Sequence, residues 1–104
     1  MNSIVLSNSD MQDVYAIVQK SIEKSGCQVE NIYIKQLPSI IQIDLDYKRP
    51  NKTDTIKIRM NSSYELCVPY TSSAIYADMM DFLVDLRYHL INGDFDFAFN
   101  KEVA

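Results

Sequence analysis

The chain has 104 residues, 47% of them hydrophobic, with two glycines, three prolines and a formal charge of −4 at pH 7. That length suits one core rather than two, so residues 1–104 are read as a single domain, too apolar to stay disordered. The acidic balance argues against direct nucleic-acid binding, and two glycines as far apart as Gly26 and Gly93 cannot form a phosphate cradle, so no nucleotide cofactor is expected.

Ile4, Val5 and Leu6 make only a short apolar run with no basic lead, which is not a signal-peptide pattern, and the chain is expected in the cytoplasm. A short strand at Ser3 to Leu6 is allowed, pairing with one edge of a sheet. Ser9 with Gln12 reads as a capping box, and Met11, Val14, Tyr15, Val18 and Ile22 then recur at helical spacing until Lys24 and Gly26 close the segment.

From Val29 the period changes to two. Ile32 and Ile34, then Ile41, Ile43, Leu45 and Tyr47, then Ile56, Ile58 and Met60, then Tyr64, Leu66, Val68 and Tyr70 each mark one face of a strand. Pro38-Ser39, the stretch 49–54 and Asn61-Ser62-Ser63 supply turns, so the four strands form an antiparallel meander. Keeping the apolar sets on one face places Ile43 opposite Ile58, Leu45 opposite Ile56 and Ile58 opposite Leu66. The polar face then pairs Asp44 with Lys57 and Arg59 with Glu65.

Ser72 or Ser73 can cap a second helix running to Asn92, with Gly93 as its stop. Ile75, Met79, Phe82, Leu83, Leu86 and Leu90 form one apolar stripe, and Tyr76, Met80, Val84 and Ile91 add a second. The first helix is expected to cover that second stripe; otherwise a dimer or partner contact through Tyr76 and Met80 does. The charges within Ile75 to Ile91 rule the segment out as a membrane span. Phe95, Phe97 and Phe99 alternate with Asp94, Asp96 and Ala98, a strand pattern expected to close the core from inside, with an edge strand docking on another chain as the alternative. The fold class is therefore α+β: a four- to five-stranded antiparallel sheet with two helices on one face, in the order α-β-β-β-β-α-β.

Candidate chemistry is sparse. His89 is the only histidine, four residues after Asp85, a spacing that reads as a surface ion pair before it reads as a general base. Cys27 and Cys67 are expected to be free and at least partly buried, and neither sits where a thiol becomes a nucleophile. Asp44 with Asp46, and Asp94 with Asp96, are D-x-D pairs without a convincing third ligand, so no metal is expected. The Asn51 and Asn61 acceptor patterns mean only polar turns.

The acidic stripe of Asp78, Asp81 and Asp85, extended by Asp94 and Asp96 and joined by Tyr88, is the sequence's best candidate surface, suited to the lysines and arginines of a basic protein. The chain is accordingly expected to be a stoichiometric inhibitor or immunity-type protein blocking a basic nuclease toxin or another nucleic-acid-handling enzyme. The alternative is a homodimeric escort for an extended client, and a third reading is a small enzyme built on Asp85 and His89.

Overall fold

The computed structural model describes residues 3–4, 8–37, 39–48, 50–69, 73–99 and 102–103. Helix α1 spans Asn8–Ser25 and turns Val14, Val18 and Ile22 into the core. Its end is set by Gly26, at φ +74°, whose N–H bonds the Ile22 carbonyl at 3.0 Å; the left-handed conformation that ends a helix suits glycine best. Ser9 lies inside the helix rather than at its cap, so the capping-box reading is corrected, and Tyr15 stands partly exposed beside the core face.

Strands β2 (Val29–Leu37), β3 (Ile40–Lys48), β4 (Thr53–Asn61) and β5 (Leu66–Cys67) form an antiparallel meander in chain order. The apolar alternation fixes the β3–β4 register as expected: Ile43 faces Ile58, Leu45 faces Ile56, and Asp44 faces Lys57. The β4–β5 register differs by two residues, with Met60 opposite Leu66 and Arg59 opposite Cys67. Glu65 stays in the turn, where its carbonyl accepts from the Asn61 N–H and its carboxylate from the Asn61 amide, while Tyr64 adopts φ +63°. The turn consumes residues that the alternation had assigned to a strand, so Arg59 pairs with Gln42 instead of Glu65. Cys67 is exposed, not buried. Pro38, Arg49, Tyr70 and Ser72, read as turn, strand-end and cap positions, lie outside the described residues.

The sheet's inner face packs under the helices. Ile41, Ile43, Leu45, Ile56, Ile58 and Met60 are all buried there, each contributing roughly 1.5–3 kcal/mol. Its outer face is polar but ordered. Lys35 Nζ lies 2.9 Å from Asp44, the Gln42 amide donates to Asp44 at 2.8 Å, and Arg59 Nε donates to Gln42 at 3.1 Å.

The second helical region is divided into α2 (Ser73–Asp78) and α3 (Met80–Ile91). Regular dihedrals lapse at Met79 (φ −96°, ψ 3°), yet its N–H still bonds the Ile75 carbonyl and its carbonyl still accepts from Leu83. Gly93 (φ +87°) then closes α3 with paired bonds, Gly93 N–H to Leu90 O and Asp94 N–H to His89 O, the Schellman arrangement.

The expected strand at 94–99 is corrected by the structure. A turn leads into helix α4 (Asp96–Phe99), and Phe95, Ala98 and Phe99 point into the core at i, i+3, i+4. Phe97 packs half-buried against the same core, so these phenylalanines do close it, but from a turn and a short helix. Strand β1 (Ser3–Ile4) pairs with β6 (Glu102–Val103), not with an edge of the four-stranded sheet. Among the described residues no helix is long and apolar enough to cross a membrane.

Candidate functional site

Because α3 buries Phe82, Leu83, Leu86 and Leu90, the residues between them must face outward. Tyr76, Met80, Val84, Tyr88 and Ile91 recur every three or four residues and form one exposed ridge along α2 and α3. Val84, Tyr88 and Ile91 are 60%, 66% and 57% exposed. The expectation that α1 covers this second stripe is therefore overturned: α1 reaches α3 only along its flank. From Tyr76 to Ile91 the ridge runs about 22 Å at the helical rise.

Beside the ridge, where the carboxy-terminal end of α1 meets α3, lies an open groove of about 650 Å³ lined by Lys24, Ser25, Asp81, Val84, Asp85 and Tyr88. Three residues singled out from sequence, Asp81, Asp85 and Tyr88, thus share one wall.

Their roles differ. Asp85 is half-buried and spoken for: Ser21 Oγ donates to Oδ2 at 2.7 Å, Lys24 Nζ to Oδ1 at 3.0 Å, and His89 Nε2 lies 3.5 Å away. The Ser21 and Lys24 bonds, with the charges of Lys24 and His89, hold its carboxyl below the usual range despite the opposing effect of burial. The Schellman turn at Gly93 brings Asp94 back over the helix end, where Oδ2 lies 2.6 Å from His89 Nδ1. Both ring nitrogens of His89 therefore face carboxylates.

Asp78 is exposed and accepts from the Tyr47 hydroxyl at 3.1 Å. Asp96 accepts from Tyr64 at 3.3 Å, and its charge, then that hydrogen bond, raises the phenol's pKa. A carboxylate bonded to a neutral hydroxyl keeps its charge, so Asp78 and Asp96 still add to the negative field. Asp81 is exposed on the groove wall.

The structure therefore separates the acidic set. Asp81 and Asp85 share the groove, Asp94 joins them through His89, and Asp78 and Asp96 belong to two other contacts. Tyr76, Met80 and Tyr88 stand on the ridge, whereas Phe95 and Phe99 are in the core and present no edge-strand surface. Ser21 and Lys24 were missed as partners of Asp85, since nothing in the spacing of one helix reveals what a distant helix sets against it. Among the described residues no group of three or more His, Cys, Asp or Glu side chains is placed to share a metal ion.

Compared with protein-family models, curated proteins and solved structures, the chain matches none of them.

Proposed function

We propose that the chain is a stoichiometric protein-binding domain of the inhibitor or immunity type, docking the α2–α3 ridge onto a basic protein. The observation that carries this reading is the uncovered line of Tyr76, Met80, Val84, Tyr88 and Ile91. Large apolar side chains in a row on one helix are the usual core of a protein contact, and tyrosine is favoured among the residues that dominate binding energy. Asp78 and Asp81 supply a charged rim, which steers a basic partner and speeds association. A nuclease toxin or other nucleic-acid-handling enzyme, whose groove collects phosphate, is the partner class of matching charge, and the cytoplasm is the proposed place of action.

A non-catalytic role is part of the proposal. It is supported by His89, whose two ring nitrogens each lie against a carboxylate. The ridge also suits self-association, which is the homodimeric escort reading.

Capture from source-cell lysate with the wild-type chain, Val84→Lys and Asp81→Lys tests the proposal. One basic protein held at equal stoichiometry by the wild type and released by Val84→Lys is the expected result, with Asp81→Lys slowing association and flattening its salt dependence. Asp85 is left intact, because replacing it would remove the Ser21 and Lys24 bonds between α1 and α3. Retention of the same partner by Val84→Lys would sink the reading, and recovery of the chain's own untagged copy alone would favour the escort.

A further inference from the structure

The other face of α1 borders a second surface. Strand β2 is nine residues long and forms one edge of the four-stranded sheet, with no strand on its outer side among the described residues. Two hollows lie between this edge and α1. One, of about 230 Å³, is lined by Met11, Gln12, Tyr15 and Ile34. The next, of about 360 Å³, runs past Ile32 and Ile22 to Gly26, and carries Glu23 and Glu30. Tyr15 lines both.

We propose that this α1–β2 groove binds an extended peptide segment of another protein, added as an antiparallel strand to β2, with two apolar residues at alternate positions followed by a lysine or arginine. Three features converge on that ligand. An edge strand offers a row of main-chain donors and acceptors that an extended backbone satisfies. Ile34 and Ile32 lie two residues apart, about 7 Å, which is the repeat at which a paired strand drops successive side chains on one face. The charge is asymmetric: the Ile34 hollow has no acidic or basic residue in its wall, whereas Glu23 and Glu30 line the far end, where Lys48 at 4.0 Å is the one counter-charge of Glu30 among the described residues.

Direction follows from the fold. Every pair in the four-stranded sheet is antiparallel, so a peptide continuing that pattern runs from the Ile34 end toward Gly26. Its first apolar residue meets Ile34, its second Ile32, and its basic residue the two glutamates. A bulge in the β2–β3 ladder between Val29 and Asn31 breaks the regularity of β2 at the Gly26 end, so Asn31–Lys35 is the regular docking stretch. This surface is separate from the α2–α3 ridge, and either can fail without the other.

The probe is the capped peptide Ser-Val-Thr-Val-Thr-Arg-Ser, titrated into the ¹⁵N-labelled full chain. Saturable binding is expected, with amide shifts confined to β2 and the Met11–Ile22 face of α1 and none along the ridge. Tyr15→Glu, a change at a partly exposed site, should weaken binding at least tenfold. Methylating alternate backbone nitrogens of the peptide should weaken it at least tenfold for one alternate set and little for the other, a pattern only strand pairing produces. Absence of saturation up to about 1 mM overturns the proposal, as do shifts elsewhere or equal effects of the two methylated sets. A concentration-dependent dimer protecting the β2 amides would also overturn it, because the groove's occupant would then be a second copy.

Discussion

Ser21 Oγ on α1 donates to Asp85 Oδ2 on α3 at 2.7 Å, sixty-four residues away in the chain, and the serine is almost wholly buried. This bond, with the Lys24 ion pair to the same carboxylate, ties α1 to α3. A hydrogen bond to a charged acceptor contributes roughly 1.5–3 kcal/mol, and a buried partner left without it loses about 1–3 kcal/mol. Ser21→Ala and Asp85→Ala should each lower stability to chemical denaturation by about that much. The double variant should cost less than the two together, since the second change finds the bond already gone. Additive losses would mean that the contact is not a coupled pair.

Acid should weaken the chain through two carboxylates. Asp85 is held low first by Ser21 and then by Lys24. At Asp44 the largest influence is burial, which raises the pKa, but the Lys35 and Gln42 hydrogen bonds with the charges of Lys35 and Lys57 together outweigh it. A folded-state pKa below the unfolded value means that the unfolded chain binds the proton more tightly. The stabilisation is then complete above the unfolded carboxylate range near about pH 3.9 and is lost as pH falls through the folded value. Asp44→Asn and Asp85→Asn should therefore be less stable than wild type at neutral pH, with the gap closing below about pH 4. A gap that stays constant in urea melts from neutral to acid pH would contradict this.

Gly26 and Gly93 provide a controlled comparison. Both have positive φ, but a Cβ at Gly26 meets nothing within 4 Å, whereas one at Gly93 comes 3.0 Å from Asp96 Oδ2. Each alanine substitution should cost about 1–2 kcal/mol for the left-handed conformation. Gly93→Ala should cost more, and should also loosen Asp96 from Tyr64, visible as a change in the tyrosine ring resonances. Equal melting temperatures for the two variants would count against the packed turn.

The core and the ridge should answer oppositely to truncation. Phe82→Ala and Phe95→Ala remove fully buried rings and should cost about 3–5 kcal/mol each. Tyr88→Ala and Val84→Lys alter exposed positions and should stay within about 0.5 kcal/mol of wild type. Thermal melts check both. A large loss from the exposed pair would show that the ridge is covered by part of the chain itself.

Much of this fold was legible because its two periods are clean. Val14, Val18 and Ile22 mark one helix face, and the alternation through Ile43, Leu45, Ile56 and Ile58 fixes a register that the structure keeps. The pattern misled where it was short. Asp94 to Phe99 alternates strictly, but Phe95, Ala98 and Phe99 also stand at i, i+3, i+4, and a buried alanine is silent in a reading that counts only large apolar residues. At Tyr64 the turn took residues that periodicity alone gave to a strand, shifting the last register by two. In the acidic set, composition showed the charges but not their partners. Asp85 belongs to Ser21 and Lys24, a contact made by packing distant elements together, and Asp94 to His89, a contact made by the turn at Gly93. The apolar residues beside those charges, read as surplus core, are what the fold leaves in solvent.

The most direct test of the ridge as a docking surface is photo-crosslinking in source-cell lysate. Benzoylphenylalanine is placed at Tyr88 on the ridge and, as a control, at Thr53, which is exposed on the outer face of β4, away from both the ridge and the β2 edge. A single adduct to one basic protein from position 88, absent from position 53 and lost on adding Val84→Lys, is the expected result. Adducts of the same kind from both positions, or one from position 88 that survives Val84→Lys, would contradict the account.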